Sequence, residues 1–93
     1  MREIQVIQNE KTSRFEAKVG EDVAFLNYHM TNGIMAFMYI FVPEPGRGKG
    51  YSVALAKFAF EYAKAKNLKI TVYCSYLAKY LRQHPEYADL VDK

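Results

Sequence analysis

A glycine-rich turn between an apolar segment and a long amphipathic segment constrains the fold of this chain more than any other feature. Residues 34–42 are apolar on both sides, as in a central β-strand, and residues 51–66 carry apolar side chains at helical spacing. Pro43 and Pro45 end the strand because neither can donate a hydrogen bond to a sheet. The letters RGKGYS at 47–52 follow. This order predicts a strand, a turn and a helix, with free backbone N–H groups of the turn at the positive end of the helix dipole.

The residues of this turn are suited to binding a phosphate or pyrophosphate, most plausibly on a cofactor. Gly48 and Gly50 let the backbone approach an anion closely, and Arg47 and Lys49 add positive charge. The turn matches neither the Walker A loop nor the dinucleotide-binding pattern G-x-G-x-x-G. The alternative interpretation is a Pro-Gly turn that begins an ordinary surface helix.

The remaining chain alternates between strand patterns and turn signals before it ends in a second helix. Asn32 and Gly33 form an Asn-Gly pair, which is a strong hairpin signal, and Pro85 ends the last helix. On the first helix, spacing places Val53, Ala56 and Phe60 on one face, and Ala63 continues it. The predicted strands are 4–8, 14–19, 23–30, 34–42 and 68–74, and the predicted helices are 51–66 and 75–84.

The order β-β-β-β-α-β-α predicts an α+β fold in which helices pack on a mixed β-sheet. A strand, helix, strand unit over residues 35–74 predicts that the fourth and fifth strands are parallel neighbours with a right-handed crossover. The chain of 93 residues has a hydrophobic fraction of 51%, which is ample for one packed domain over residues 1–93.

Composition narrows the functional classes. The single cysteine cannot form an internal disulfide, the N-terminus lacks the apolar core of a signal peptide, and no run approaches about 18 apolar residues. These observations predict a cytoplasmic protein without a membrane span. The net charge of +3 is mild and acidic residues interrupt the basic ones, which disfavours nucleic-acid binding. His29 and His84 have no second cysteine or acidic cluster, so no metal site is predicted.

Three separated sequence blocks resemble a small, cysteine-containing branch of the GNAT acetyltransferase superfamily. They are V-P-x-x-x-R-G-x-G at 42–50, C-x-[YF] at 74–76 and [HN]-P-x-[YW] at 84–87. The pattern R-x-x-G-x-[G/A] of the superfamily is also present, with Ser52 at its last position. The resemblance spans about residues 35–91. It implies a minimal GNAT-like fold without most of the N-terminal helical region, and an acetyl-CoA-dependent N-acetyltransferase activity on an amine or protein acceptor.

The resemblance also implies which residues bind the cofactor. Backbone groups of Phe41 and Val42 would pair with the amides of the pantetheine arm, and N–H groups of residues 48–52 would hold the pyrophosphate. The full predicted set is Phe41, Val42, Arg47, Gly48, Lys49, Gly50, Tyr51, Ser52 and Ser75, the last of which is also a candidate N-cap of the second helix.

Cys74 and Tyr80 are the predicted catalytic residues. Cys74 lies between the fifth strand and the last helix, where a helix N-terminus favours the reactive thiolate. It could carry the acetyl group covalently, line the pocket during direct attack by the acceptor, or be a buried small hydrophobic residue. A tyrosine in this helix of many GNAT enzymes donates a proton to the departing thiolate, which points to Tyr80, with Tyr76 as the rival.

The second functional hypothesis is a non-catalytic acyl-CoA binding or sensing module. It arises because little of the chain lies outside the predicted cofactor site. The acceptor, the oligomeric state and the choice between direct transfer and an acetyl-cysteine intermediate are left open by the sequence.

Overall fold

A five-stranded sheet, with helices packed on one of its faces, forms the protein. The computed structural model describes residues 4–92. The strands lie in the sheet in chain order. Their bounds are β1 Ile7–Asn9, β2 Arg14–Val19, β3 Asp22–Thr31, β4 Ile34–Phe41 and β5 Lys69–Val72, and the helices are α1 Tyr51–Ala65 and α2 Ser75–Gln83. Two short 3-10 helices, Glu44–Gly46 and Pro85–Leu90, follow β4 and α2. The predicted α+β class and element order are confirmed.

The first four strands are antiparallel and the last pair is parallel. The β3–β4 hairpin turns at Asn32 and Gly33, both of which have a positive φ. The crossover through α1 then makes β5 a parallel neighbour of β4, with Ile34 opposite Lys69 and Phe37 opposite Val72. A parallel neighbour requires such a crossover, because a tight turn can only reverse the chain.

Small side chains let α1 lie close to the sheet. Ala56, Ala59 and Ala63 are all fully buried, and they face the buried side chains of β2 and β3, which include Phe15 and Leu26. Alanine favours the helical conformation, and its small side chain leaves room for the large side chains of the sheet. These alanines therefore bring α1 close to the large side chains of β2 and β3.

A cluster of stacked rings joins α1 to α2 and to the C-terminal 3-10 helix. Phe60 of α1 lies with its ring centroid 5.2 Å from Phe37, 5.5 Å from Tyr80 and 5.1 Å from Tyr87. The Tyr87 hydroxyl donates a hydrogen bond to the Glu61 carboxylate. Both helices are thus fixed on the same face of the sheet by aromatic packing.

The structure corrects several sequence predictions. The first strand was predicted at 4–8, but β1 is Ile7–Asn9, because residues 4–6 do not pair with β2. The fifth strand was predicted to end at residue 74, but β5 ends at Val72, because Cys74 is already the N-cap residue of α2. Val53 was placed on the buried face of the first helix, but it is 52% exposed. The buried stripe of α1 is centred on its alanines, which leaves Val53 on the flank. The C-terminal bridge between Val91 and Ile70 was not predicted.

The other face of the sheet carries no helix in the part of the chain that the structure describes, and we call it the open face. Register places Ile7, Glu16, Phe25 and Phe41 in one row across four strands of this face. Among residues 4–92, no helix is both long and apolar enough to cross a membrane.

Candidate functional site

The fourth and fifth strands separate halfway along β4. They pair from Ile34 to Phe37, and the Tyr73 N–H donates a last hydrogen bond, 2.9 Å long, to the Phe37 carbonyl oxygen. Beyond that point residues 39–41 pair with β3 alone among the described residues. A cleft with one free strand edge therefore opens between β4 and the segment that follows β5.

A β-bulge lies where this cleft begins. Asn27 is opposite Tyr39, but the next residue of β3, Tyr28, is opposite Phe37, so Met38 is an extra residue in β4. A bulge bends its strand and disrupts the regular ladder. It also returns Ile40 to the core side and places Tyr39 on the open face. The bulge thus contributes to the separation of the two strands.

The N-termini of both helices lie at the same edge of the sheet as this cleft. α1 follows β4 and α2 follows β5, and the carboxyl ends of parallel strands meet at one edge. The positive ends of two helix dipoles consequently flank the cleft. An anionic ligand is favoured there by both helices.

The first turn of α1 has no cap. Gly50 is the N-cap residue, with φ of 90°, and it has no side chain that could accept a hydrogen bond. The first helical hydrogen bond runs from the Ala54 N–H to the Gly50 carbonyl oxygen, 3.0 Å. Within residues 4–92, no backbone acceptor is found for the N–H groups of Gly48, Gly50, Tyr51 or Ser52, whereas the Lys49 N–H bonds to the Gly46 carbonyl oxygen, 3.3 Å.

The loop that precedes α1 has a defined shape. The Arg47 Nε donates a hydrogen bond of 3.1 Å to the Val42 carbonyl oxygen, which holds the loop against the end of β4. Gly46 is buried, and a Cβ atom there would lie 2.9 Å from Val19 Cγ1, so only glycine fits. A cavity of about 350 Å³ lies beside this loop, lined by Val42, Gly46, Arg47, Gly48, Gly50, Tyr51, Ser52 and Val53.

Six predicted cofactor-binding residues therefore line one cavity, and three do not. The six are Val42, Arg47, Gly48, Gly50, Tyr51 and Ser52. Phe41 lies at the end of β4, Lys49 points to two neighbouring cavities, and Ser75 opens α2 across the cleft. Gly46 and Val53 were not predicted as lining residues. Gly46, Gly48 and Gly50 alternate in the sequence, and this spacing was the signal that could have identified Gly46.

Cys74 is the N-cap residue of α2, with extended backbone angles, and Ser75, predicted as a candidate N-cap, is the first helical residue. The Cys74 side chain is free and half-buried. Tyr76 is the second residue of α2. Burial raises the pKa of the Tyr76 hydroxyl, and the nearby Cys74 raises it further. Cys74 and Tyr76 thus both lie at the start of α2, beside the cleft.

Tyr80 lies deeper in the fold than Tyr76. Its side chain is 6% exposed, and its ring stacks on Phe60 and, at 4.0 Å between centroids, on His84. Burial raises the pKa of the Tyr80 hydroxyl, with smaller contributions from Tyr76, Glu86 and Glu61. The structure therefore places Tyr80 in the aromatic core, while its hydroxyl interacts electrostatically with Tyr76.

Comparison with known proteins agrees with this geometry. A family model described as GCN5-related N-acetyl-transferase matches residues 14–90. The chain belongs to this family. The match includes the loop before α1, both helices and the cleft between β4 and β5, so the site described above lies wholly within the family's domain.

Several known proteins are similar over most of the chain. Protein NATD1 of Gallus gallus is 31% identical over 85 residues, which are 88% of this chain and 77% of the relative. Protein NATD1 of Homo sapiens is 28% identical over 85 residues, which are 88% of this chain and 75% of the relative. The NMR solution structure of a GCN5-like protein from Staphylococcus aureus superposes with a TM-score of 0.68 at 24% identity, covering 99% of this chain and 91% of that one. This last comparison confirms the GNAT-like fold.

Proposed function

We propose that this GCN5-related protein is an acetyl-CoA-dependent N-acetyltransferase. One observation carries the proposal: the uncapped N-terminus of α1 and its glycine loop border a cavity at the edge where β4 and β5 separate. A helix N-terminus suited to an anion thus lies beside a strand edge with free backbone groups, and this juxtaposition supports the proposal. A ligand with a diphosphate and an amide-bearing arm has a partner for each part.

Different residues of the chain would bind different parts of acetyl-CoA. The N–H groups of Gly48, Gly50 and Ser52 would bind the pyrophosphate, and Arg47 and Lys49 would add charge. Phe41 and Val42 would pair with the pantetheine amides; the Val42 carbonyl oxygen already accepts from Arg47, but a carbonyl can accept two hydrogen bonds. Ser75, at the start of α2, would contact the arm from the other side of the cleft.

The chemistry requires a proton donor and a protected reaction site. Acetyl-CoA supplies an activated thioester. A tyrosine hydroxyl at the start of α2 can protonate the departing thiolate, because phenols and thiols have similar pKa values. Tyr76 lies two residues after Cys74 and is less buried than Tyr80, so we assign this role to Tyr76, with the predicted Tyr80 as the alternative. Cys74 would line the acetyl end of the cleft.

Thermal unfolding with and without acetyl-CoA tests the binding part of the proposal. At 100 times its dissociation constant, a ligand that binds the folded state stabilises it by about 2.7 kcal/mol. Arg47→Gln should weaken binding about tenfold, because it removes a charge and a hydrogen-bond donor at the loop. Lys11→Gln, which removes a charge from the distant β1–β2 turn, is the control. No stabilisation of the wild type would refute the proposal.

Transfer assays against a panel of amines and lysine peptides test catalysis. Turnover of any acceptor supports an enzyme, whereas tight acetyl-CoA binding without turnover supports a sensing module. Mass spectrometry of protein incubated with acetyl-CoA distinguishes the two chemical routes. A mass increase on Cys74 that Cys74→Ser abolishes, together with activity, indicates covalent transfer. Full activity of Cys74→Ser without an adduct indicates direct attack by the acceptor.

A further inference from the structure

Three aromatic side chains form a patch on the open face of the sheet. The ring centroid of Phe25 lies 5.7 Å from that of Tyr39 and 5.6 Å from that of Phe41. Tyr39 is 50% exposed and Phe41 is 43% exposed. We call Phe25, Tyr39 and Phe41 the aromatic patch. Rings that remain this exposed contribute little to the core, and an exposed apolar patch of this kind is typical of an interaction surface.

The aromatic patch borders the cleft of the proposed acetyl site. Tyr39 and Phe41 lie on the part of β4 that has separated from β5, directly after the bulge at Met38. Tyr73, which is 69% exposed, follows β5 on the other side of the cleft. A molecule docked on the patch therefore lies beside the place where an acceptor amine is needed.

The shape of this surface fits a protein better than a small molecule. Small-molecule sites are concave and bury most of the ligand, whereas the patch lies on an exposed sheet face. Protein interfaces have an apolar centre enriched in aromatic residues and arginine. The open face has this composition, because the Arg14 guanidinium lies 3.9 Å from the centroid of the Phe25 ring.

The charge around the patch is positive. The charged residues of β2 that alternate onto the open face are Arg14, Glu16 and Lys18. Arg14 and Glu16 form an ion pair at 3.5 Å, so their charges offset each other and Lys18 supplies the net positive charge of this strand face. A cavity of about 760 Å³ at the end of this face is lined by both Lys18 and Lys49. Such a rim attracts acidic groups and repels polycations.

We infer that the acceptor is a protein segment in which a lysine is flanked by apolar and acidic residues, docked on the aromatic patch. The inference rests on the proposed function. In the transfer, an N–C bond forms between the lysine nitrogen and the acetyl carbonyl carbon, and the C–S bond of the thioester breaks. The proton lost by the neutral amine balances the proton gained by the departing thiol. No oxidant or reductant is needed.

Three matched acceptors test this inference. Two synthetic peptides of equal length carry one lysine among the same leucines, one with glutamates and the other with arginines in the remaining positions; n-butylamine is the small acceptor. At saturating acetyl-CoA, kcat/KM for the acidic peptide should exceed that for the basic peptide and for n-butylamine by about tenfold or more. Equal values for the peptides, or preference for n-butylamine, would overturn the inference.

A variant of the patch provides the second readout. Tyr39→Ser should raise KM for the acidic peptide about tenfold with little change in kcat, because it removes docking area but no reacting group. Met30→Ser is the control, since Met30 is 42% exposed at the far end of β3. An unchanged KM in Tyr39→Ser, or no transfer to any acceptor by protein that acetyl-CoA stabilises, contradicts the inference. Absence of that stabilisation refutes the proposed function itself, and the inference with it.

Discussion

The two halves of β4 differ in almost every physical respect. In the first half, residues 34–37, the strand is paired on both sides, and Phe37 is fully buried against Phe60. In the second half, residues 38–41, it is paired on one side, and Tyr39 and Phe41 are exposed. We call these the base half and the open half.

The two halves of this strand separate core packing from exposed backbone groups. Around the base half, aromatic rings from α1, α2 and the C-terminal 3-10 helix fill the core. Around the open half, backbone groups and a helix N-terminus are left for a partner. A small domain can leave polar groups without internal partners only where its core does not depend on them. Mutations in the two regions should therefore have different consequences.

The largest expected effect on stability lies at the base half. Phe60→Ala should lower the free energy of unfolding by about 3–5 kcal/mol, because Phe60 is fully buried and its removal leaves a cavity between three other rings. Urea unfolding measures the change. Val53→Ala, on the exposed flank of the same helix, should change it by less than about 0.5 kcal/mol. Similar losses in both variants would contradict the assignment of the core.

A second prediction compares two tyrosines of α2. Tyr76→Phe should lower kcat at least about tenfold while acetyl-CoA still stabilises the protein, because Tyr76 is the less buried of the two tyrosines and lies two residues after Cys74, at the start of α2. Tyr80→Phe keeps the stacked ring and should leave kcat within about twofold. The reverse result, a slow Tyr80→Phe and a normal Tyr76→Phe, would establish Tyr80 as the proton donor. Steady-state kinetics with the best acceptor provides the measurement.

The smallest predicted effect depends on pH and concerns the base half alone. Burial raises the pKa of the Tyr87 hydroxyl, and its hydrogen bond to Glu61 raises it further. The stabilisation linked to this raised pKa is fully present below the tyrosine pKa of the unfolded chain, which is about 10. It is lost as the pH rises through the pKa of Tyr87 in the folded protein. Tyr87→Phe should therefore cost about 1–2 kcal/mol at about pH 8, and the difference from wild type should narrow above about pH 10.

Urea unfolding at about pH 8 and again above about pH 10 checks this dependence. Tyr39→Phe, which removes a hydroxyl from an exposed ring, controls for the loss of one titrating phenol. A cost for Tyr87→Phe that is the same at both pH values would show that the hydrogen bond to Glu61 does not contribute. The acetyl-CoA response should be unaffected, because Tyr87 packs at the base half.

Local sequence signals predicted most helices and strands well, but they failed at the start of β1 and on the flank of α1. The bounds of β2 and the start of both helices agree with the structure, because alternation, prolines and glycines act through the residues nearest to them. The start of β1 was wrong because pairing with β2, and not the pattern of residues 4–6, decides where a strand exists. The predicted burial of Val53 was wrong because helical spacing defines a face of the helix but not how far the sheet covers that face.

The sequence by itself determined the glycine loop of this protein: Gly48 and Gly50 specify a helix start without a side-chain cap. Only the tertiary structure decided where β4 and β5 part, how deeply Tyr80 is buried and which rings remain exposed. These depend on the bulge at Met38 and on contacts between residues far apart in the chain. Their physical reason is that packing and strand pairing are set by neighbours in space, which a local pattern does not contain.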